Sequence, residues 1–592
     1  MKLLVFLESK EQFEEFEKIR QAYKDYAIIY CALSPFVMPH LDSKGISYVI
    51  PENFYRSEEL SAIRQDTQRF VNSVVDTLDR ISIGYSKKTI GIELKAGTYF
   101  EHLLWVLISG VHSKIFQLKK VISATSPDAI VGFGSVKELP LEMDFIFGAK
   151  ESLYGLILSA MEGNIKIIKY SVNAQKSNIR AAIKEFLLDK LPILLILRMY
   201  GFKKGIHHIL PSFGKKSVLV LGSVYNWVDV MERRTFRETF SIRYFLRARI
   251  PHKVKNYSLD GIDMPSLSFI FMGVDYGGLI DRQISLILRS IKFFSSRYRK
   301  VSELIDKVSG VFTCGYWYPL LSFVAHIAFI KGKPVICWSH GESGNRKTYG
   351  MVEGELRFTT AYFAFGEGSK AHYENEIKNL GFSGRTIAVG SPELDRLKET
   401  LSESISGSYI LYATTNFYMN WFYLGFDPPF SDNSYYRTVK TILSYLESID
   451  EAVLWKKHPM PIMGDIPIKP LSPYIRVQSE GRFSELISGA RAIVIDCPAT
   501  TFYEACLTEK PIFVTIKHLD FIPEALLLLK KRAVCTDTPE ELISRLDGFL
   551  KTGKYPADTK NREYIRAYGT HLDDGNSAKR AEAECVKIIK RA

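Results

Sequence analysis

The stretch at residues 490–515, ARAIVIDCPATTFYEACLTEKPIFVT, constrains the fold more than any other. Its apolar run at 492–495 reads as a parallel strand covered on both faces, since such strands need not alternate apolar with polar. Asp496 ends the run, and a turn holding Pro498 leads to Thr500 and Thr501. A helix is expected next, with Phe502, Ala505, Cys506 and Leu507 turned inward, then a second buried strand at 511–515. Strand, hydroxyl-bearing turn, helix and strand make a βαβ unit, with hydroxyls and free N–H groups at the carboxyl edge of a parallel sheet. Open α/β sheets bind ligands at that edge, and a helix start favours anions. The stretch therefore reads as the phosphate-binding corner of a nucleotide-diphospho donor site. An ordinary βαβ unit with a threonine N-cap has the same pattern.

At 592 residues the chain exceeds what one hydrophobic core supports, so two or three domains are expected. The seven cysteines are scattered, with neither a CxxC pair nor a zinc spacing, which suits buried thiols in a reducing cytosol. The opening MKLLVFLESKEQ turns acidic too soon for a signal peptide and reads as a first strand. No apolar run approaches the roughly 18 residues of a membrane span. The net charge is +13, yet residues 401–592 carry 24 basic and 24 acidic side chains, so the whole excess sits upstream. A basic front half is expected to meet something acidic. The chain has no RNA-binding, zinc-finger or helix-turn-helix signature. An anionic membrane surface or a phosphate-bearing acceptor therefore fits better than nucleic acid.

In chain order, strands are expected at 2–7, 26–32 and 46–50, a helix at 10–23 and a long helical region over 57–123. A strand in SPDAIVGFGS, a helix near 151–161 and a strand at 165–170 follow. Alternation of this kind means a parallel sheet. Residues 179–216 and 233–255 mix large apolar residues with basic ones, among them Lys203, Lys204, Arg243, Arg247 and Arg249. Both read as amphipathic helices lying in a membrane interface, at about 1 kcal/mol per basic residue near anionic lipid. A solvated helix face over a core has the same composition. A second α/β unit opens at SVLVLGS (217–223), continues through SLSFIFMGV (266–274) and reaches SGVFTC and KGKPVICWSHG, echoing 128–170. The last unit opens with a strand at 409–413 ending in Thr414 and Thr415, followed by a helix at 436–448, a strand at 452–456 and Lys457-His458. The expected fold class is α/β and GT-B-like, with two facing Rossmann-like domains. These are an acceptor-side domain at 206–400 and a nucleotide-donor domain at 401–592. An extended α/β region at 1–205, with a helical insertion and basic amphipathic helices, precedes them.

Six motifs then line up in order with one group of enzymes. They are CWSHG (337–341), VGSPELDRL (389–397), YATT (412–415), KKHP (456–459), DCPATTFYEA (496–505) and DDGNSAKR (573–580). Over this span the chain resembles GT-B transferases of bacterial surface-polysaccharide assembly, notably the CDP-glycerol glycerophosphotransferase-like and capsule-transferase families. The resemblance fades upstream of Ser309.

The resemblance implies a nucleotide mono- or diphosphate donor carrying a sugar or polyol. Its leaving group gains negative charge, so hydrogen-bond donors must point at the phosphate oxygens. His458 matches the phosphate-contacting histidine, with Lys457 beside it, and Thr500 and Thr501 take the place of paired serines. Glu504, one turn on, would accept from ribose hydroxyls, while Thr414 and Thr415 end another strand at the same cleft. The acceptor hydroxyl must lose a proton to a base that titrates near working pH. The resemblance gives that role to His340, with Glu342 orienting the imidazole or acting as base itself. Glu342-Ser343-Gly344 replaces the family's Thr-Pro pair, threonines replace its serines, and the front half is longer. These departures favour a sugar over glycerol phosphate. No DxD spacing occurs, so no metal is implied, and no cofactor beyond the activated donor. The expected activity moves a sugar from a nucleotide-activated donor to a cell-surface polysaccharide or lipid-linked acceptor, from a cytoplasmic, peripheral position on the membrane. The alternatives are a polyol-phosphate transferase using a CDP-linked donor and a non-transferring nucleotide-sugar epimerase.

Overall fold

In the computed structural model the described residues are 1–134, 153–161, 163–169, 216–222, 226–245, 250–338, 344–347, 352–401, 407–415, 432–458, 468, 470, 472–517 and 519–591. Short apolar runs in these segments build three separate parallel sheets. The first contains β1 (Lys2–Leu7), β2 (Ala27–Ala32), β3 (Tyr48–Val49), β4 (Ala129–Gly134) and β5 (Ile165–Lys169), in the order β3-β2-β1-β4-β5. The second contains β6 (Lys216–Leu221), β7 (Phe240–Phe245), β10 (Gly310–Thr313), β11 (Val335–Trp338), β12 (Ala361–Ala364) and β13 (Arg385–Ala388). Its order is β13-β12-β11-β10-β6-β7, and a small antiparallel pair, β8 (Ile270–Phe271) with β9 (Val274–Asp275), stands apart from it. The third contains β14 (Tyr409–Ala413), β15 (Val453–Lys456), β16 (Ile475–Gln478), β17 (Ala490–Ile495), β18 (Ile512–Thr515) and β19 (Val534–Thr536), in the order β16-β15-β14-β17-β18-β19. The first and third sheets have the Rossmann strand order and the second the flavodoxin-like one. The fold is α/β and GT-B-like, two Rossmann-like domains preceded by a further α/β unit.

Strand alternation explains how that extra unit is held. Leu4 and Phe6 face a core shared with helices Ser57–Ile90, Glu101–Thr125 and Gly277–Asp306 and with Leu219 and Val311 of the second sheet. Leu3, Val5 and Leu7 face the opposite way, into a core that includes helix Asp432–Glu447 and Ile410, Val453 and Val494 of the third. The first sheet is thus buried between the other two units. Asn433 Nδ2 donates to the Ala32 carbonyl at 3.3 Å, and Lys440 pairs with Asp42 at 2.6 Å, across the second of these contacts.

The last helix, Ser577–Arg591, leaves the third unit and packs on the second. Ala581, Cys585, Ile588 and Ile589 join a core with Val218, Val220, Trp227 and Phe312. Ser577 N–H donates to Asp395 Oδ2 at 2.8 Å and Arg580 Nε to the Val389 carbonyl at 3.0 Å. Gly390, at φ 92, is the position where the approach is closest. A Cβ there would stand 2.1 Å from Ser577 Oγ.

Two expectations are corrected. Residues 233–255 do not form one amphipathic helix: a short helix, Arg234–Thr239, gives way to the sheet-edge strand β7 and then to a 3-10 turn, His252–Asn256. Residues 266–274 do not supply a strand of the second sheet. They end in the β8–β9 hairpin, turned by Met272 and Gly273 at φ 48 and 74. The echo between the first two units is a repeated strand–helix–strand: β4, helix Leu153–Ala160, β5, and again β10, helix Pro319–Ile330, β11. The basic stretch 179–216, including Lys203 and Lys204, lies outside the described residues apart from its last residue, and so do Arg247 and Arg249.

Candidate functional site

In the third sheet β14 lies between β15 and β17. The chain winds from β14 to β15 and β16 on one side before crossing to β17 on the other. The winding reverses between β14 and β17, which is where open parallel sheets form a ligand crevice beyond their carboxyl ends. Register pairs Ala413 with Lys456 on one flank and with Ile495 on the other. The residues that leave the sheet together at this point are therefore Thr414, Lys457 and Asp496.

Hydrogen bonds fix the three strand ends against each other. Thr415 N–H donates to Asp496 Oδ1 at 3.1 Å, and the Tyr435 hydroxyl donates to Asp496 Oδ2. Thr515 Oγ1 donates to the Asp496 carbonyl at 2.8 Å. Asp496 is buried, and burial pushes its carboxyl up to about 7, against the opposing pull of the Tyr435 and Thr415 hydrogen bonds. On the other flank Trp455 Nε1 donates to Thr414 Oγ1 at 3.1 Å, and Lys457 Nζ lies 4.4 Å from the centre of the Trp455 ring. Alternation along β15 turns the buried Lys456 the other way, where its Nζ donates to the carbonyls of Lys457 at 3.0 Å and Ser479 at 2.6 Å. Lys457 and His458 follow, both half-buried. Lys456 thus ties down the turn, while Lys457 stands against Trp455 at the strand end.

Beyond Asp496 comes the helix Thr500–Cys506, seven residues long. Its cap position is Ala499, at φ −101 and ψ −143, and no side chain caps it. The threonine N-cap is therefore absent, and Thr500 and Thr501 are the first two helical residues, the former exposed and the latter half-buried. Two turns of helix carry little macrodipole, so hydroxyls and first-turn N–H groups are what this end offers an anion. Phe502, Ala505, Cys506 and Leu507 are buried, as the sequence pattern requires.

Glu504 Oε2 is enclosed without a hydrogen-bond partner among the described residues. Burial, then the nearby Glu393 carboxylate, push Glu504 up to about 7, with Arg482 pulling the other way. Glu393 lies in the first turn of the helix Pro392–Thr400 after β13, and Leu394 of that helix shares a core with Phe502 and Tyr503. The motifs VGSPELDRL and DCPATTFYEA therefore touch across the two domains. DDGNSAKR joins the first of them through Asp395 and Val389. Its own turn is closed by Arg580 Nη1, at 2.6 and 2.8 Å from the Asp574 carboxylate.

His340 and Glu342 lie outside the described residues. Their flanks are described. Trp338 ends β11, and residues 345–347 are bound to the unit of the third sheet. The Asn345 carbonyl accepts from Ile522 N–H at 3.0 Å, Asn345 Nδ2 donates to the Tyr564 hydroxyl at 2.8 Å, and Lys347 N–H donates to the Asp520 carbonyl at 2.9 Å. Residues 345–347 thus hold to the third unit.

Asp496 and Tyr435 are the residues that sequence reasoning passed over. An aspartate closing an apolar run at a carboxyl edge is a visible signal, but read alone it only ends the strand. Among the described residues no three His, Cys, Asp or Glu side chains gather as metal ligands would.

The chain matches no family model and no curated protein. Among solved structures it is similar to a putative UDP-N-acetylglucosamine 2-epimerase from Listeria monocytogenes, at 14% identity over 64% of this chain and 98% of that one, with a TM-score of 0.40. It is also similar to UGT71G1 of Medicago truncatula, solved with UDP-glucose, at 11% identity over 63% and 98%, with a TM-score of 0.36. For the calicheamicin glycosyltransferase CalG4 the figures are 12%, 64%, 98% and 0.35.

Proposed function

We propose that the protein is a GT-B glycosyltransferase that takes a sugar from a nucleotide-activated donor to a saccharide or lipid-linked acceptor of the cell surface. The observation that carries the reading is the gathering of Thr414, Lys457, His458 and the Thr500–Thr501 turn at the ends of three adjoining strands, at the point where the winding of the sheet reverses. A departing nucleoside diphosphate needs positive charge and N–H or O–H donors at its phosphates. Lys457, His458 and the two threonine hydroxyls supply these. Glu504, a carboxyl with an unused oxygen, is the group for a ribose hydroxyl. Asp496 is enclosed and works indirectly, holding the Thr415 backbone and the Tyr435 ring in place. His340, on the segment that follows β11, is the base that takes the acceptor proton, with Glu342 beside it. The acceptor side and the peripheral membrane position are supported by the basic front half.

Product analysis tests this. The purified protein is incubated with a panel of nucleotide sugars, first alone and then with lipid-linked and oligosaccharide acceptors. Transfer that requires an acceptor is the expected result. Release by water of free sugar epimerised at C2, from the donor alone, would replace the transferase reading with that of a hydrolysing epimerase.

A further inference from the structure

On the flank of the second sheet, away from the donor crevice, a cavity of about 390 Å³ opens between the edge strand β7 and the second half of helix Gly277–Asp306. Its floor is apolar: Phe245, Phe293, Val301, Leu304 and Leu320. Phe293, Val301 and Leu320 belong to the buried core, so the floor continues the interior of the protein. Its rim is basic. Arg243, Arg297, Lys300 and Lys307 surround the opening, and the one carboxylate there, Glu303, is engaged by Arg299 at 3.1 Å. Arg243 Nε donates to Ser217 Oγ at 2.9 Å, and the Arg297 guanidinium lies 5.8 Å from the centre of the Phe293 ring. Among the described residues none of the four rim cations faces a carboxylate at ion-pair distance. Lys300, Lys307 and Arg243 are exposed.

We propose that this cavity holds an anionic membrane phospholipid, its phosphate among the four cations and one acyl chain over the apolar floor. Four unpaired cations ask for a phosphate-like anion, and that alone would fit a free ion on a polar surface. The floor decides between the two. An open apolar cavity of a size typical of ligand sites keeps its surface in water unless something apolar enters it. Only an amphiphile matches both halves. Among the described residues no helix is long and apolar enough to cross a membrane, so a lipid drawn into a basic-rimmed cavity would hold the chain at a bilayer from one side. The inference stands on this cavity and does not require the transferase reading.

The test uses the full chain and three probes. These are vesicles of phosphatidylcholine with and without phosphatidylglycerol, monomeric dioctanoyl phosphatidylglycerol, and inorganic phosphate. Wild-type protein is expected to sediment with the phosphatidylglycerol vesicles and not with the neutral ones. The monomeric lipid is expected to raise its melting temperature where phosphate at equal concentration does not. Lys300→Glu with Lys307→Glu should weaken vesicle binding about tenfold or more. Leu304→Trp, which fills the cavity and leaves every charge in place, should abolish the shift given by the monomeric lipid. A cooperative thermal unfolding transition and a wild-type circular dichroism spectrum, both without lipid, show that the variants are folded. Equal sedimentation with neutral vesicles, an equal shift with inorganic phosphate, or wild-type lipid binding by the Leu304→Trp protein would each overturn the proposal.

Discussion

Asp496 keeps its proton well above the usual carboxylate range because enclosure outweighs the two hydrogen bonds it receives. In the unfolded chain the same group titrates near pH 4, as aspartates do. Between about pH 4 and 7 the folded state therefore holds a proton that the unfolded state has released. The stability this contributes is fully present below the unfolded value and is lost as pH rises through the folded one, at up to about 1.4 kcal/mol per pH unit. Asp496→Asn is neutral throughout, so its urea-unfolding stability should change less than the wild-type value between about pH 5 and 8. Equal changes in the two proteins would assign the titration to another group. Lys457 offers a different expectation. Lys457→Ala should weaken nucleoside diphosphate binding roughly tenfold, as for a charge-assisted contact, in a protein that still unfolds cooperatively without ligand. His340→Ala should do the reverse, keeping donor affinity while the rate of transfer falls by about 10²–10⁴. Where the candidate residues stand on the sheet was partly legible in the sequence. The threonine pairs and the Lys457-His458 step stand at strand ends because apolar runs announce where the strands stop. Tyr435 was not legible, because its link to Asp496 joins residues 61 positions apart and no local pattern records it.

Elements whose period matched their burial were read correctly, and those whose partners are distant were not. The run at 492–495 has no polar residue and became an interior strand, β17. The mixture of basic and aromatic residues at 240–245 has the composition of an interfacial helix, yet it pairs with β6 along its whole length, because alternation places Arg243 outward at a sheet edge. At 266–274 the apolar residues alternate as in a strand, but Phe269 and Phe271 turn onto helices Ser57–Ile90 and Glu101–Thr125, leaving Ile270 and Met272 exposed. The last helix shows how a motif acts through an element. Asp395, buried beside its start, accepts the Ser577 N–H, so Asp395→Ala would leave a buried donor unmet and cost about 1–3 kcal/mol. Chemical denaturation would show this as a lower midpoint with an unchanged slope. A wild-type midpoint would mean that the helix start is held by its apolar face alone.

The chain is three α/β units in which the first is clasped by the other two and the last helix returns to the second. Contacts between the second and third units include Leu394 against Phe502 and Tyr503, residues 345–347 against 520–522, and Arg580 against Val389. The proposed donor residues at the ends of β14, β15 and β17 adjoin these contacts along the chain, and a bound donor should stabilise the whole chain. The measurement to make is thermal unfolding with CMP, CDP, UDP, GDP and TDP, on the wild type and on Lys457→Ala combined with Thr500→Ala and Thr501→Ala. At least one nucleotide should stabilise the wild type, by about 2.7 kcal/mol when present at about 100 Kd, and the triple variant should lose that response while still unfolding cooperatively without ligand. A wild type indifferent to all five nucleotides, or a triple variant that responds as the wild type does, would refute the donor site at the ends of β14, β15 and β17.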